Sequence, residues 1–218
     1  MGPRPDDRTD GSLLPTGADP VALLALIVQQ REETRRRTEP SLAVIATAWG
    51  SAWLLGYLTL FLTGGASRAA PPAWAFIVFA ILLVMAVAVT MVHIGRRFAG
   101  VSGESATVGA MYGWTWFIGF VVASLVFGGA VRAGAGSEVM TVLTNGVSCL
   151  VVGLIYMAGG MLWREWRMFA LGGWIAVVAG VASLAGAPAI YLVMAVAGGG
   201  GFLVAAAVDA RRSSRRPA

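Results

Sequence analysis

Polar side chains are scarce in this sequence, and any chemistry would have to start from the few that sit inside apolar runs. Asn145 lies about two turns inside one such run, with Thr141, Thr144 and Ser148 close by. A buried amide needs hydrogen-bond partners, and in lipid these come from neighbouring helices. The same groups could instead line a polar binding pocket. Thr47 and Ser51, one turn apart in another run, are candidates for the same seam, although hydroxyls there also bond their own helix carbonyls. Gly198, Gly199, Gly200 and Gly201 form a third candidate. Each glycine inside a helix costs about 1 kcal/mol relative to alanine, so four in succession call for a reason. One is a flat groove that admits a neighbouring helix; the other is an interrupted helix whose backbone lines a solute cavity.

The remaining reactive residues point to less. His93 is the only histidine and stands one turn before Arg96 and Arg97, as expected of a residue at headgroup level. A proton relay is its sharper alternative. Cys149 is the only cysteine, which excludes an intrachain disulfide and leaves a metal site without neighbours. Glu138 and Asp209 fall at the ends of apolar runs, and no carboxylate falls in the middle of one. That pattern disfavours transport coupled through intramembrane carboxylates. No phosphate-binding loop, His/Cys cluster or nucleophile–base pair is present. Neither enzymatic activity nor a cofactor or metal is therefore expected.

The elements that position these residues follow from composition. The chain has 218 residues, 57% hydrophobic and 12% charged, with a mean hydropathy of +0.75. A soluble domain of this size needs more polar surface than that, whereas a bilayer needs none on its lipid-facing side. A spanning helix takes roughly 20 apolar residues, and six runs qualify, over 41–64, 72–95, 107–131, 138–162, 168–186 and 187–208. The expected fold is an all-α, polytopic membrane protein with six transmembrane helices. The last two runs meet with almost no loop, where Gly186 can end one helix and Pro188 can start the next.

Arginine sets the expected orientation. All 16 basic residues are Arg, and the resulting pI near 10.3 needs no nucleic acid to explain it. Arg31, Arg35, Arg36 and Arg37 precede the first span, and Arg96 and Arg97 follow the second. Arg164 and Arg167 follow the fourth, and Arg211, Arg212, Arg215 and Arg216 follow the sixth. The opposite loops carry only Arg68 and Arg132. The positive-inside rule then puts both termini in the cytoplasm, in a multi-pass protein of the cell (plasma) membrane. Trp163 and Trp166 at the inner end of the fourth span, and Trp74 at the outer end of the second, suit interfacial belts.

Outside the bundle, residues 1–19 read as a disordered tail, rich in Pro, Gly and Asp. They are followed by an apolar run with no small-residue cleavage site, so a secretory signal is not expected. Residues 20–38 read as a cytoplasmic amphipathic helix: Asp19-Pro20 makes an N-cap with proline at the first helical position. Glu32–Arg36 and Glu33–Arg37 are favourable pairs one turn apart. Its eight apolar residues, 21–28, are too few to span. They suit the inner membrane surface, or a protein partner docking at 20–37. Residues 209–218 read as a basic cytoplasmic tail.

Two patterns concern helix packing. Gly50, Trp53, Gly56 and Tyr57 correspond to Gly113, Trp116, Gly119 and Phe120 at a constant offset of 63 residues, and Gly-Gly-Ala-x-Arg follows each set. Tandem helical hairpins would give such an echo, although chance matching in a Gly- and Trp-rich chain is a rival. Small residues recur at four-residue spacing as Gly109/Gly113, Gly119/Ala123 and Gly172/Ala176/Gly180. Such faces let backbones approach within a bundle or in a homo-oligomer. The functional expectation is a small transporter, or a membrane subunit of a transport system, for a neutral or apolar solute. The rival is a non-transporting anchor, regulatory or assembly protein acting through its N-terminal helix.

Overall fold

The computed structural model describes residues 20–38, 41–64, 70–98 and 104–214; the expected tail at 1–19 lies outside them. Among the described residues every regular element is helical: α1 (Pro20–Thr38), α2 (Leu42–Gly64), α3 (Ala73–Phe98), α4 (Glu104–Arg132), α5 (Ser137–Leu162), α6 (Trp166–Ala185), α7 (Ala189–Val193), a π-helical segment (Met194–Gly199) and α8 (Gly200–Ser214). Six helices are long and apolar enough to cross a membrane, with α7, the π segment and α8 forming the sixth. The protein is thus an all-α, multi-pass membrane protein. Its spans agree with the hydropathy pattern to within a few residues. The sixth differs at its end, because the helix continues through Asp209 and Arg211 to Ser214 instead of giving way to a tail at 209.

The chain divides between Glu39 and Pro40, so α1 stands as a unit of its own. Its polarity is distributed along the axis. Leu24, Leu26, Ile27 and Val28 are between 48% and 63% exposed, and at about 100° per residue Leu26 projects opposite Leu24 and Val28. The first half is therefore apolar all round, and the arginines and glutamates follow in the second half. No lateral stripe separates the two.

Within the bundle the spans pack in sequence as three hairpins, with no such packing between α3 and α4 among the described residues. α2 lies on α3, α4 on α5, and α6 on the last helix; α2 also runs along the last helix, and α5 along α6. The extensive contacts of α3 are with α2 alone, and those of α4 with α5 alone. The core accordingly sits among α2, α5, α6 and the last helix, around Leu60, Ile175, Ile190, Met194 and Phe202. Small residues set how closely these helices approach. A Cβ on Gly172 would lie 2.6 Å from the Gly153 carbonyl oxygen, and one on Gly153 would lie 3.0 Å from Ala176 Cβ. Gly109, Gly113 and Gly180, from the same kind of pattern, face open space.

The turn between α6 and α7 uses Gly186 at φ 66°, a left-handed conformation suited to glycine. Pro188 takes the N-cap of α7, one place before the first helical position. At the other end of α6, Glu165 is the N-cap and accepts a hydrogen bond from the Arg167 N–H.

Candidate functional site

Asn145 and its neighbours on α5 meet α2 in a seam beside the last helix. Tyr57 of α2 donates from its hydroxyl to Asn145 Oδ1 at 2.7 Å, and Asn145 Nδ2 donates to the Thr141 carbonyl of its own helix at 2.8 Å. Both functional atoms of the amide are thus engaged within the bundle. Tyr57 is 5% exposed and packs on Phe79 and Tyr191, with ring centroids 4.6 and 6.5 Å away. Cys149, one turn beyond Asn145, is buried in the same core cluster. Thr141, Thr144 and Ser148 are half-buried on α5, and the first two donate to carbonyls one turn back.

Thr47 and Ser51 do not join this seam. Ser51 and Tyr57 are six residues apart, which at about 100° per residue turns them roughly 120° from one another around α2. Thr47 is exposed and Ser51 half-buried. The polar partner of Asn145 is therefore Tyr57, a residue whose place in the Gly-x-x-Trp-x-x-Gly-Tyr motif marked it for packing, not for polarity.

The glycine run is a packing surface. A Cβ on Gly199 would lie 2.6 Å from the Leu54 nitrogen and 3.0 Å from the Gly50 carbonyl oxygen, so two glycine-bearing backbones meet there. A Cβ on Gly198 would strike the Trp53 ring at 2.9 Å, and one on Gly201 would fall within the indole of Trp174. Gly200 alone of the four faces open space. Trp174 also donates from Nε1 to the Ala197 carbonyl at 3.0 Å, satisfying an acceptor where the backbone widens.

The π segment explains how one side of the last helix stays on α2 for so long. Ile190, Met194, Gly198, Phe202 and Ala206 are all buried, at strict four-residue intervals. In an α-helix each four-residue step moves the buried face round by about 40°. The wider π turn over Met194–Gly199 takes part of that drift back. The helix widens through Gly198 and Gly199 and continues unbroken from Gly200.

Among the described residues no buried side-chain nitrogen or oxygen lacks a hydrogen-bond partner, and no three His, Cys, Asp or Glu side chains gather where a metal could sit. A shallow recess of about 320 Å³ opens near the start of α5, lined by Glu138, Val139, Val142 and Leu143. The chain matches no protein-family model, no curated protein and no solved structure.

One polar arrangement escaped the sequence reading. At the arginine-rich end of the bundle, Asp209 of α8 is 8% exposed, pairs with Arg167 of α6, and accepts the Ala43 N–H of α2 at 3.0 Å. Beside it, His93 Nε2 of α3 accepts the Ser41 N–H at 3.0 Å. The available signal was the run Ser41-Leu42-Ala43-Val44, a helix start with no acidic residue in its first turn to satisfy its own donors.

Proposed function

We propose that this chain is a non-transporting membrane protein, an anchor or assembly subunit whose working surface is the N-terminal helix. One contrast carries the reading. The candidate interior is filled by its own side chains, with Trp53, Leu54 and Trp174 against the glycine run and Tyr57 on Asn145. In α1, by comparison, Leu24, Leu26, Ile27 and Val28 are all about half exposed or more. Apolar side chains facing all round a short helix gain free energy when something encloses them, and eight such residues cannot span a bilayer. In this reading the bundle holds the protein in the plasma membrane with both termini inside, as the arginine distribution favours. The N-terminal helix then engages a protein partner at the cytoplasmic face.

A transport role for a neutral or apolar solute is the second reading. The observation favouring it is the π segment itself, because π turns recur at functional sites. Vesicle swelling separates the two. Proteoliposomes holding the full chain are expected to swell in glycerol or urea no faster than protein-free vesicles. Swelling that depends on the protein and is lost in Asn145→Leu would overturn the anchor reading in favour of transport.

A further inference from the structure

The start of α2 is capped by residues distant in sequence. Ser41 is its N-cap, since its carbonyl accepts the Ile45 N–H. In a self-contained capping box, the third helical residue supplies a Glu or Gln that accepts the N-cap N–H. Here that position is Val44, which cannot. The acceptor for Ser41 N–H is instead His93 Nε2, 52 residues away on α3, at 3.0 Å. The acceptor for the Ala43 N–H is Asp209 Oδ2, 166 residues away on α8. Asp209 is in turn held by Arg167 of α6, so four helices meet at one helix start.

The two acceptors respond differently to protons. A carboxylate keeps acceptor sites on its oxygens even when one of them takes a proton. An imidazole nitrogen accepts only while it carries no proton, and histidine is the side chain that ordinarily changes charge between about pH 5 and 8. The bond to Ser41 requires a neutral ring with its proton on Nδ1. A proton added at Nε2 would set one N–H donor against another. The charged groups at this end of the bundle, among the described side chains, are Arg96 one turn further along α3, Arg167 of α6, and Asp209 and Arg211 of α8. The first turn of α2 brings none. His93 is half-buried, three residues before Arg96 at the end of its span.

We propose that His93 is a pH-operated clasp on the N-terminus of α2. Neutral, it fixes Ser41; protonated, it releases Ser41 while Asp209 keeps its hold on Ala43. Ser41 is the first described residue after the N-terminal unit, which ends at Glu39, and release frays the start of α2 itself. The clasp does not depend on what that unit binds.

Because His93 is the only histidine, its ring gives a single set of nitrogen resonances in the full chain in nanodiscs. At about pH 8 the ring is expected as the neutral Nδ1–H tautomer. A neutral ring protonated on Nε2 would overturn the proposal. Amide hydrogen exchange then reads the clasp itself, corrected for intrinsic rates. Exchange at Ser41 is expected to rise about five- to tenfold between about pH 8 and pH 5, with Ala43 unchanged. His93→Gln, whose amide oxygen accepts without titrating, should keep Ser41 protected at both values, and His93→Ala should leave it fast at both. Protection at Ser41 that is indifferent to pH in the native protein, or that falls equally in His93→Gln, would refute the clasp.

Discussion

Helices α2 and α4 carry the same Gly-x-x-Trp-x-x-Gly-aromatic pattern and live in opposite surroundings. In their most apolar stretches, 39% of the residues of α2 are buried and 6% of those of α4. Gly50 faces Gly199 and Phe202 across a backbone contact, whereas its counterpart Gly113 faces open space. Trp53 is 4% exposed and sits edge-on to Phe202; Trp116 is half-buried against Tyr156. Tyr57 is buried with a hydrogen bond to another helix, and Phe120 is 39% exposed. Only the second glycine keeps a comparable role, Gly56 against Phe79 and Gly119 against Val151. A motif of this kind describes what a helix permits. Whether the permission is used depends on a second helix, supplied to α2 by the last helix and to α4 by α5 alone.

The comparison can be broken most forcefully at the first glycine. Gly50→Ala puts a methyl group 2.9 Å from Phe202 Cβ and 3.0 Å from the Gly199 carbonyl oxygen, where relief requires two helices to part. Overpacking of this sort costs about 1–3 kcal/mol, and the variant is expected to melt at lower temperature in detergent. Gly113→Ala is the matched control. With no atom beyond its own stretch of helix within 4 Å of the new methyl, the substitution should leave stability unchanged or raise it by up to about 1 kcal/mol, through helix propensity alone. Equal destabilisation by both would mean that α4 is as fully packed as α2, and the contrast would be lost. A Gly113→Ala effect seen in nanodiscs but absent in dilute detergent would instead mark α4 as a contact between copies.

What the sequence made legible was whatever lipid enforces locally. A span must be apolar for about 20 residues, so Leu42–Gly64 and Ser137–Leu162 could be bounded to within a residue or so from hydropathy alone. Neighbour relations were not legible, because nothing near Gly199 encodes Gly50 and nothing near Asn145 encodes Tyr57. The same blindness made Gly109/Gly113 and Gly172/Ala176 look alike, although only the second pair meets a helix. The π segment was out of reach for a related reason. Four glycines weaken an α-helix, but the widening at Met194–Gly199 answers the need to keep Ile190 and Ala206 on one neighbour. Asp209 and His93 read as end-of-span residues until four helices were brought to one point.

The smallest expected effect tests the most specific difference between the two copies, the hydroxyl on Tyr57. Tyr57→Phe makes α2 match α4 at that position and leaves Asn145 Oδ1 without its 2.7 Å donor. Interhelical hydrogen bonds in membrane proteins average about 0.6 kcal/mol and reach about 1.7, so a small loss of stability is expected. The reciprocal change, Phe120→Tyr, should cost or gain almost nothing, since that ring is exposed and its neighbour Trp116 is already stacked on it at 6.2 Å. A double-mutant cycle of Tyr57→Phe with Asn145→Leu isolates the pair. If the hydroxyl works through Asn145, the second substitution removes most of the cost of the first, and the coupling equals the bond. Additive losses would mean that the hydroxyl works through a group other than Asn145, and no loss in Tyr57→Phe would mean that Tyr57 stabilises α2 by ring packing on Phe79 and Tyr191. The two copies would then differ only in how much neighbouring helix each was given.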